Sequence, residues 1–223
     1  MSIIVPAWAG EIRAVGFDLD QTLYPDTPEI QRLVRQEIYH IIAEAKSCSA
    51  SKAQTLFETE YARLGRGTLA VQYLLGITDA NDIMQGCLER AGVAEVLKYD
   101  QRLIDLFRRI KESNRQTFLV TGSSRKNSLS KLLRLGLTFE TFDVSLCIDD
   151  PDTDKLHGHP FQQIIQRTGF QPREHVYAGD REKIDITPAR LAGMRAVYVW
   201  GECANADISI PTIYDLETVL VLR

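Results

Sequence analysis

The sequence predicts an α/β fold, a parallel sheet wound by helices on both faces. Three observations lead to this class. Short apolar runs of four or five residues recur and end in small or acidic residues, as buried parallel strands do. Amphipathic stretches of helical period separate the later runs. Roughly 100 residues separate the first run from the second, far more than a crossover connection needs.

Five strands are predicted from these runs. They are AVGF before Asp18, TFLV before Thr121, DVSLC before Ile148, HVYA before Gly179 and AVYVW before Gly201. Between the last four lie helical stretches such as RKNSLSKLLRLG and HPFQQIIQRTG, each stopped by a glycine. The alternation of strand and helix implies right-handed crossovers and a doubly wound sheet.

The long gap after the first strand is predicted to be helical. Its first helix starts with Thr27 as N-cap and Pro28 at the first helical position. The apolar residues between Ile30 and Ala45 keep to one face of that helix. SASKAQTLFETEYARLG and DANDIMQGCLERAG predict further helices, each closed by a glycine.

The expected domain boundaries follow from this gap. Residues 26–96 form an inserted all-helical domain, and residues 1–25 and 97–223 form the α/β core. Within the core, a helix over residues 101–113 leads to the second strand. We interpret the insertion as a cap over the strand ends. The alternative is that the extra helices only pack against the sheet and do not cover the strand ends.

The composition excludes several functional classes. The chain is 44% hydrophobic and 25% charged. Its net charge of −4 does not indicate electrostatic binding to nucleic acid or to an anionic membrane. Four widely spaced cysteines argue against a disulfide framework and a zinc site. The start does not resemble a signal peptide, and no apolar run reaches the roughly 18–20 residues of a membrane span. We expect a cytoplasmic protein.

Polar groups gather where an open α/β sheet binds ligands, at the carboxyl ends of its strands. Carboxylates placed close together repel one another unless a cation lies between them. An oxygen-rich site of this kind suits Mg²⁺. Each group is a weak signal when taken singly, and their order and placement carry the argument. The groups expected at this edge are Asp18, Asp20, Thr121, Lys155, Asp180 and Asp185.

These groups resemble the four signatures of the haloacid dehalogenase superfamily of aspartate-nucleophile hydrolases. DLDQT from Asp18 matches D-x-D-x-T, Thr121 ends the second strand, Lys155 precedes a helix, and GDREKID matches G-D-x-x-x-x-D. The resemblance covers nearly the whole chain and implies a Rossmann-like core with a helical cap inserted after the first motif. The sequence departs from the family in the third motif, where Leu156 and Gly158 replace two prolines.

The resemblance also implies a phosphatase mechanism. Asp18 is the implied nucleophile, which forms an aspartyl-phosphate, and Asp20 is the implied general acid and base. Thr121 and Lys155 are implied to bind the phosphate. Backbone amides near Leu19 and Gly122 are expected to complete the anion site, although the family often has Asn at the latter position.

The implied metal site uses the same edge of the sheet. Asp18 and Asp180 are expected to supply carboxylate oxygens to Mg²⁺, and Asp20 its backbone carbonyl. Asp185 is expected to act as an outer or water-mediated ligand. Ser123 and Ser124 are expected only to shape the turn and to cap the next helix.

The expected substrate is a small phosphate monoester, with neither nucleic acid nor membrane as partner. FDLDQTLYP and EYARLGRGTLA are loosely similar to pyrimidine 5′-nucleotidases, which puts a nucleoside 5′-monophosphate first. Sugar phosphates and phosphoglycolate-like acids are the alternatives. A dehalogenase is less favoured because the Asp20 carboxylate favours phosphoryl transfer. A phosphomutase is less favoured because the helical insertion shows no obvious Lys/Arg pair of the kind that branch uses. A non-catalytic phosphate-binding module is the rival of another class, and the sequence leaves the oligomeric state open.

Overall fold

The computed structural model describes residues 4–222, which divide into two compact units. One unit is Asp26–Val96, and the other comprises the described residues of Met1–Pro25 and Leu97–Arg223. Each unit has its own secondary structure and its own apolar cluster.

The second of these units contains a six-stranded sheet in which every neighbouring pair is parallel. The strand order is β3-β2-β1-β4-β5-β6, so that β1 lies in the middle. The doubly wound α/β prediction is confirmed, and the five predicted strands agree with the observed ones to within one residue at each end. The strands are β1 Ala14–Phe17, β2 Gln116–Val120, β3 Val144–Leu146, β4 His175–Gly179, β5 Arg195–Val199 and β6 Ile208–Ile210.

Helices cover both faces of this sheet. The Phe17 ring of β1 lies 4.7 Å from the ring of Phe107, which belongs to a helix on one face. Ala14, three residues earlier and therefore on the opposite face, joins a buried cluster with Phe161 and Ala189. The α/β unit's helices are α5 Gln101–Glu112, α6 Arg125–Leu135, α7 His159–Thr168, α8 Thr187–Leu191 and α9 Leu216–Val219.

The helix ends follow the chemistry of their capping residues. Gly136 and Gly169 end α6 and α7 in the left-handed conformation, with φ of 85° and 74°. Asp100 opens α5 by accepting a hydrogen bond from the Leu103 amide at 3.0 Å. No helix within residues 4–222 is long and apolar enough to cross a membrane.

The unit Asp26–Val96 is helical and packs around its own core. Thr27 caps its first helix by accepting a hydrogen bond from the Ile30 amide at 3.3 Å, and Pro28 occupies the first turn. Ile42, Phe57 and other side chains of the unit form a buried cluster. Its helices are α1 Pro28–Ala45, α2 Ala50–Leu64, α3 Gly67–Leu75 and α4 Asn81–Arg90.

Candidate active site

The sheet register brings the predicted groups to one edge. Phe17, the last residue of β1, pairs with Leu119 of β2 and with Ala178 of β4. The residues that follow these three parallel strands therefore emerge side by side. Asp18 follows β1, and Thr121 and Asp180 follow β2 and β4.

An acidic cluster forms at this edge from Asp18, Asp180 and Asp185. Each residue offers one carboxylate oxygen, and these oxygens lie within 4.8 Å of one another. Asp18 and Asp185 are fully buried. The Nζ atom of Lys155 lies 2.5 Å from Asp18 Oδ1 and 2.7 Å from Asp185 Oδ1, so one buried ammonium bridges two of the three carboxylates.

Burial and the neighbouring negative charges raise the pKa values of two carboxylates in this cluster. Burial raises the pKa of Asp18 to about 6, although Lys155 opposes the shift and the charge of Asp185 adds to it. Burial, followed by the Asp185 charge, raises the pKa of Asp180 well above its usual range. Burial disfavours the charge on Lys155 too, but Asp18 and Asp185 outweigh burial and raise the pKa of Lys155.

One atom of the acidic cluster has surroundings that suit a cation. Asp18 Oδ2 is buried and has no hydrogen-bond partner within residues 4–222. An unpaired carboxylate oxygen in such a place is costly, and a bound cation satisfies it. The donors are all oxygens, which suits a hard ion such as Mg²⁺. The acidic cluster therefore fits the expected metal.

Asp185 is fixed by the backbone around it. A π-helical turn, Glu182–Ile186, carries it back toward β4. Its Oδ2 accepts a hydrogen bond from the Arg181 amide at 3.1 Å. A Cβ atom added at Gly179 would lie 2.4 Å from Asp185 Cβ, so the glycine gives the carboxylate its space.

Arg181 adds a second positive charge to the acidic cluster. Its Nε atom lies 3.9 Å from Asp180 Oδ1 and 3.7 Å from Asp185 Oδ2. Burial disfavours its charge, but the neighbouring carboxylates, Asp185 foremost, raise its pKa. The sequence analysis did not single out this arginine, which lies inside the fourth motif.

Asp20 belongs to a different set of contacts, which we call the Asp20 network: Asp20, Tyr24, Ser123 and Lys131. Its Oδ1 accepts hydrogen bonds from Lys131 Nζ at 2.6 Å and from the Tyr24 hydroxyl at 2.5 Å. Its Oδ2 accepts one from the Ser123 hydroxyl at 2.5 Å. The Asp20 carboxylate is thus not one of the three that form the acidic cluster.

The Asp20 network keeps this carboxylate ionised. Burial favours the neutral acid, but the charge and hydrogen bond of Lys131, together with the bonds from Ser123 and Tyr24, outweigh burial and lower the pKa of Asp20. Lys131 has no exposed surface. The pKa values of two carboxylates separated by one residue are therefore shifted in opposite directions, since burial raises the pKa of Asp18.

Thr121 connects the second strand to the Asp20 network. Its hydroxyl accepts a hydrogen bond from the Ser123 amide at 3.1 Å, and its side chain is almost fully buried. Ser124 caps α6 by accepting a hydrogen bond from the Asn127 amide at 3.3 Å, as expected. Ser123 does more than shape the turn, because its hydroxyl binds Asp20.

Sequence reasoning missed Tyr24 and Lys131. A readable signal existed for the lysine. Ser128, Lys131, Leu132 and Leu135 are the buried residues of α6, and their spacing places the lysine on the inward face of the helix. A lysine on a buried helical face calls for a negative partner.

Comparison with known proteins settles the family. The family described as haloacid dehalogenase-like hydrolase matches residues 12–193. The chain belongs to this family. The resemblance drawn from the four motifs is confirmed, and the protein is an enzyme of the hydrolase class.

Individual relatives add detail. The chain is 25% identical to a glyceraldehyde 3-phosphate phosphatase of Methanocaldococcus jannaschii, over 84% of this chain and 85% of that one. It is also 25% identical to the enzyme of the same name from Methanothermobacter thermautotrophicus, over 88% and 89%. A solved phosphatase of this family from Thermococcus onnurineus superposes with a TM-score of 0.65 at 25% identity, covering 94% of this chain and 98% of that one.

Proposed function

We propose that the protein is a Mg²⁺-dependent phosphatase that hydrolyses a small sugar phosphate through an aspartyl-phosphate on Asp18. The observation that carries this proposal is the state of Asp18. One of its oxygens is bound by Lys155, and the other is buried without a partner among the described residues. A carboxylate held in this way has one oxygen free to bind a cation or to attack phosphorus.

The proposed metal site uses the acidic cluster, with the backbone carbonyl of Asp20 as a further ligand. Bound Mg²⁺ supplies positive charge that offsets the repulsion between the nucleophile and the phosphate dianion. Lys155 contributes its own charge, and we propose that it also contacts the phosphate. Thr121 and the amides near Leu19 and Gly122 complete the proposed phosphate site.

The proposed reaction has two steps. An oxygen of Asp18 attacks phosphorus, the bond to the ester oxygen breaks, and the acid form of Asp20 gives its proton to the departing oxygen. Water then attacks the aspartyl-phosphate and loses a proton to Asp20, and the bond between phosphorus and Asp18 breaks to release phosphate. The ionised Asp20 of this structure is the form that the second step needs.

The comparisons support a sugar phosphate better than the nucleoside 5′-monophosphate that was expected first. Both relatives named above are glyceraldehyde 3-phosphate phosphatases and align over most of their length. We propose that the helical unit, Asp26–Val96, acts as the cap that selects this substrate. The chain's net charge of −4 gives no support for a nucleic-acid partner.

A substrate panel tests the proposal. Phosphate release is measured from p-nitrophenyl phosphate, glyceraldehyde 3-phosphate, larger sugar phosphates and nucleoside monophosphates, with Mg²⁺ and with a chelator. We expect Mg²⁺-dependent turnover that is fastest on the small sugar phosphates. Asp18→Asn should abolish this turnover. Asp105→Asn is its matched control, because it removes the same charge from a partly exposed position on α5. Binding of phosphate without turnover would identify a non-catalytic module instead.

A further inference from the structure

We propose that Lys131 is a positioning residue for catalysis, which together with Ser123 holds the Asp20 carboxyl where it exchanges a proton with the substrate oxygen. This inference rests on the proposed phosphatase function. Lys131 acts through Asp20 in this account and does not itself contact the substrate.

The contacts around Lys131 form a closed triangle. Its Nζ atom donates to Asp20 Oδ1 at 2.6 Å and to Ser123 Oγ at 2.8 Å. Ser123 Oγ in turn donates to Asp20 Oδ2 at 2.5 Å. Because both carboxylate oxygens are bound by groups that are bound to each other, the triangle fixes the rotation of the Asp20 carboxyl as well as its position.

The triangle is also tied to the proposed phosphate site. Ser123 lies two residues after Thr121, and its amide donates to the Thr121 hydroxyl at 3.1 Å. Ser124 then opens α6, the helix that carries Lys131. The loop after β2 and the first turns of α6 therefore connect the Asp20 carboxyl to Thr121, the proposed phosphate ligand.

Stability alone gives a poor reason for a lysine at this position. Its neighbours on the buried face of α6 include Leu132 and Leu135, and Lys131 itself has no exposed surface. A buried ion pair is often no more stabilising than a well-packed apolar pair of similar volume. A role in holding Asp20 in place explains why Lys131 is charged, why it is buried and why it contacts Ser123.

The expected consequence depends on the leaving group. Proton transfer by a positioned side chain contributes about 10²–10⁴-fold to a rate. A p-nitrophenolate leaves with little need of a proton, whereas the alkoxide of a sugar phosphate needs one. Loss of Lys131 should therefore slow alkyl phosphates much more than p-nitrophenyl phosphate.

The test measures kcat/KM on a series of phosphate esters that runs from p-nitrophenyl phosphate through less acidic phenols to an alkyl phosphate. The proteins are the wild type, Lys131→Met, Lys131→Arg and Asp20→Asn. For Lys131→Met we expect a loss at least about tenfold larger on the alkyl ester than on the p-nitrophenyl ester. Asp20→Asn should show the same trend, and Lys131→Arg should restore part of the loss.

Two further variants separate positioning from folding. Asp20→Asn combined with Lys131→Met removes both charges, and we expect it to be no slower than Asp20→Asn alone, since the lysine acts through Asp20. Ser123→Ala keeps the ion pair and removes one side of the triangle. It should give a smaller loss with the same leaving-group trend, and it provides the test if Lys131→Met does not fold.

The outcomes distinguish this inference from the proposed function. An active wild type in which the Lys131→Met and Ser123→Ala variants lose the same factor on every ester, or lose nothing, overturns the positioning role alone. A wild type that is inactive on every ester with Mg²⁺ present contradicts the phosphatase itself, and this inference with it.

Discussion

Asp18 and Asp20 show how two carboxylates in one short motif come to differ. Asp18 shares Lys155 with Asp185, and its other oxygen is unpaired in the described part of the chain, whereas both oxygens of Asp20 are bound by donors. The sequence places both residues at the end of a strand and cannot distinguish their surroundings. The difference comes from side chains more than 100 positions away along the chain.

The raised pKa of Asp18 predicts how pH changes the stability of the metal-free protein. Its pKa is 3.8 in an unfolded chain and about 6 in the folded protein, where it is fully buried. The folded state binds the proton more tightly, so the contribution of Asp18 to stability falls as pH rises from 3.8 to about 6 and stays low above that.

Asp18→Asn removes this dependence. In the presence of a chelator we expect the variant to be more stable than the wild type above pH 6, by up to about 3 kcal/mol. The difference should shrink below pH 4, where Asp18 is protonated in both states. Urea unfolding of both proteins at several pH values measures it, with Asp105→Asn as control. A stability difference that stays constant across this pH range would contradict the raised pKa of Asp18.

The side chains of the site were predictable to different degrees. Asp18, Asp180 and Asp185 lie together as the strand-end argument predicts, and Lys155 joins them. The partners of Asp20 were not predicted, because a contact between residue 20 and residue 131 depends on how α6 packs. The roles of all these residues in catalysis stay predictions.

At the scale of elements, the strands were easier to predict than the helices. Buried parallel strands read as continuous apolar runs, and β1 to β5 are such runs. Three elements were missed, β6, α3 and α9. Asp207 and Pro211 flank the strand Ile208–Ile210 and limit its apolar run, whereas the run of β3 continues into Cys147 and Ile148. The helix α9 has only four residues, and Gly67–Leu75 starts at a glycine without a side-chain cap. Apolar runs and capping residues give no signal when an element is short or lacks a cap.

The last residue of β4 gives a prediction for an element. Gly179→Ala places a Cβ atom 2.4 Å from Asp185 Cβ and 2.7 Å from its Cγ, so the carboxylate must move. We expect a loss of about 1–3 kcal/mol in stability from overpacking. Because a displacement of about 1 Å can cost 10²-fold in rate, we also expect kcat/KM to fall at least about tenfold.

The matched control for this substitution is Gly10→Ala. An added Cβ atom at Gly10 meets nothing within 4 Å, so stability and kcat/KM should stay unchanged. Thermal unfolding and phosphatase assays measure both variants. Wild-type activity in Gly179→Ala would show that the position of Asp185 does not matter for the reaction.

For the whole molecule, we expect the charge at the site to link folding to the binding of the proposed metal. Three carboxylates of the acidic cluster meet Lys155 and Arg181 in a chain whose net charge is −4. A cation that binds only the folded state stabilises the protein by about 2.7 kcal/mol when its free concentration is 100 times Kd. We therefore expect the melting temperature to rise with Mg²⁺ concentration.

Asp180→Asn tests this link. It removes one proposed ligand, so its melting temperature should respond to Mg²⁺ only at higher concentrations than that of the wild type. Asp105→Asn should respond as the wild type does. Equal responses of all three proteins would show that Mg²⁺ binds elsewhere.

The choice of substrate could not be predicted at any scale from sequence. The first expectation, a nucleoside 5′-monophosphate, rested on short stretches around the first motif and in the helical unit. The relatives support a sugar phosphate instead. Specificity depends on how a few side chains of a cap face the substrate, and periodicity and spacing carry no information about that.

The most direct test of this account asks whether phosphate is transferred to Asp18. The enzyme is mixed with glyceraldehyde 3-phosphate and Mg²⁺ and quenched in acid within the first turnovers, and its peptides are analysed by mass spectrometry. We predict a phosphoryl adduct on the peptide that contains Asp18, and none in Asp18→Asn. Rapid phosphate release by the wild type with no adduct on Asp18, or sustained release by Asp18→Asn, would contradict the mechanism.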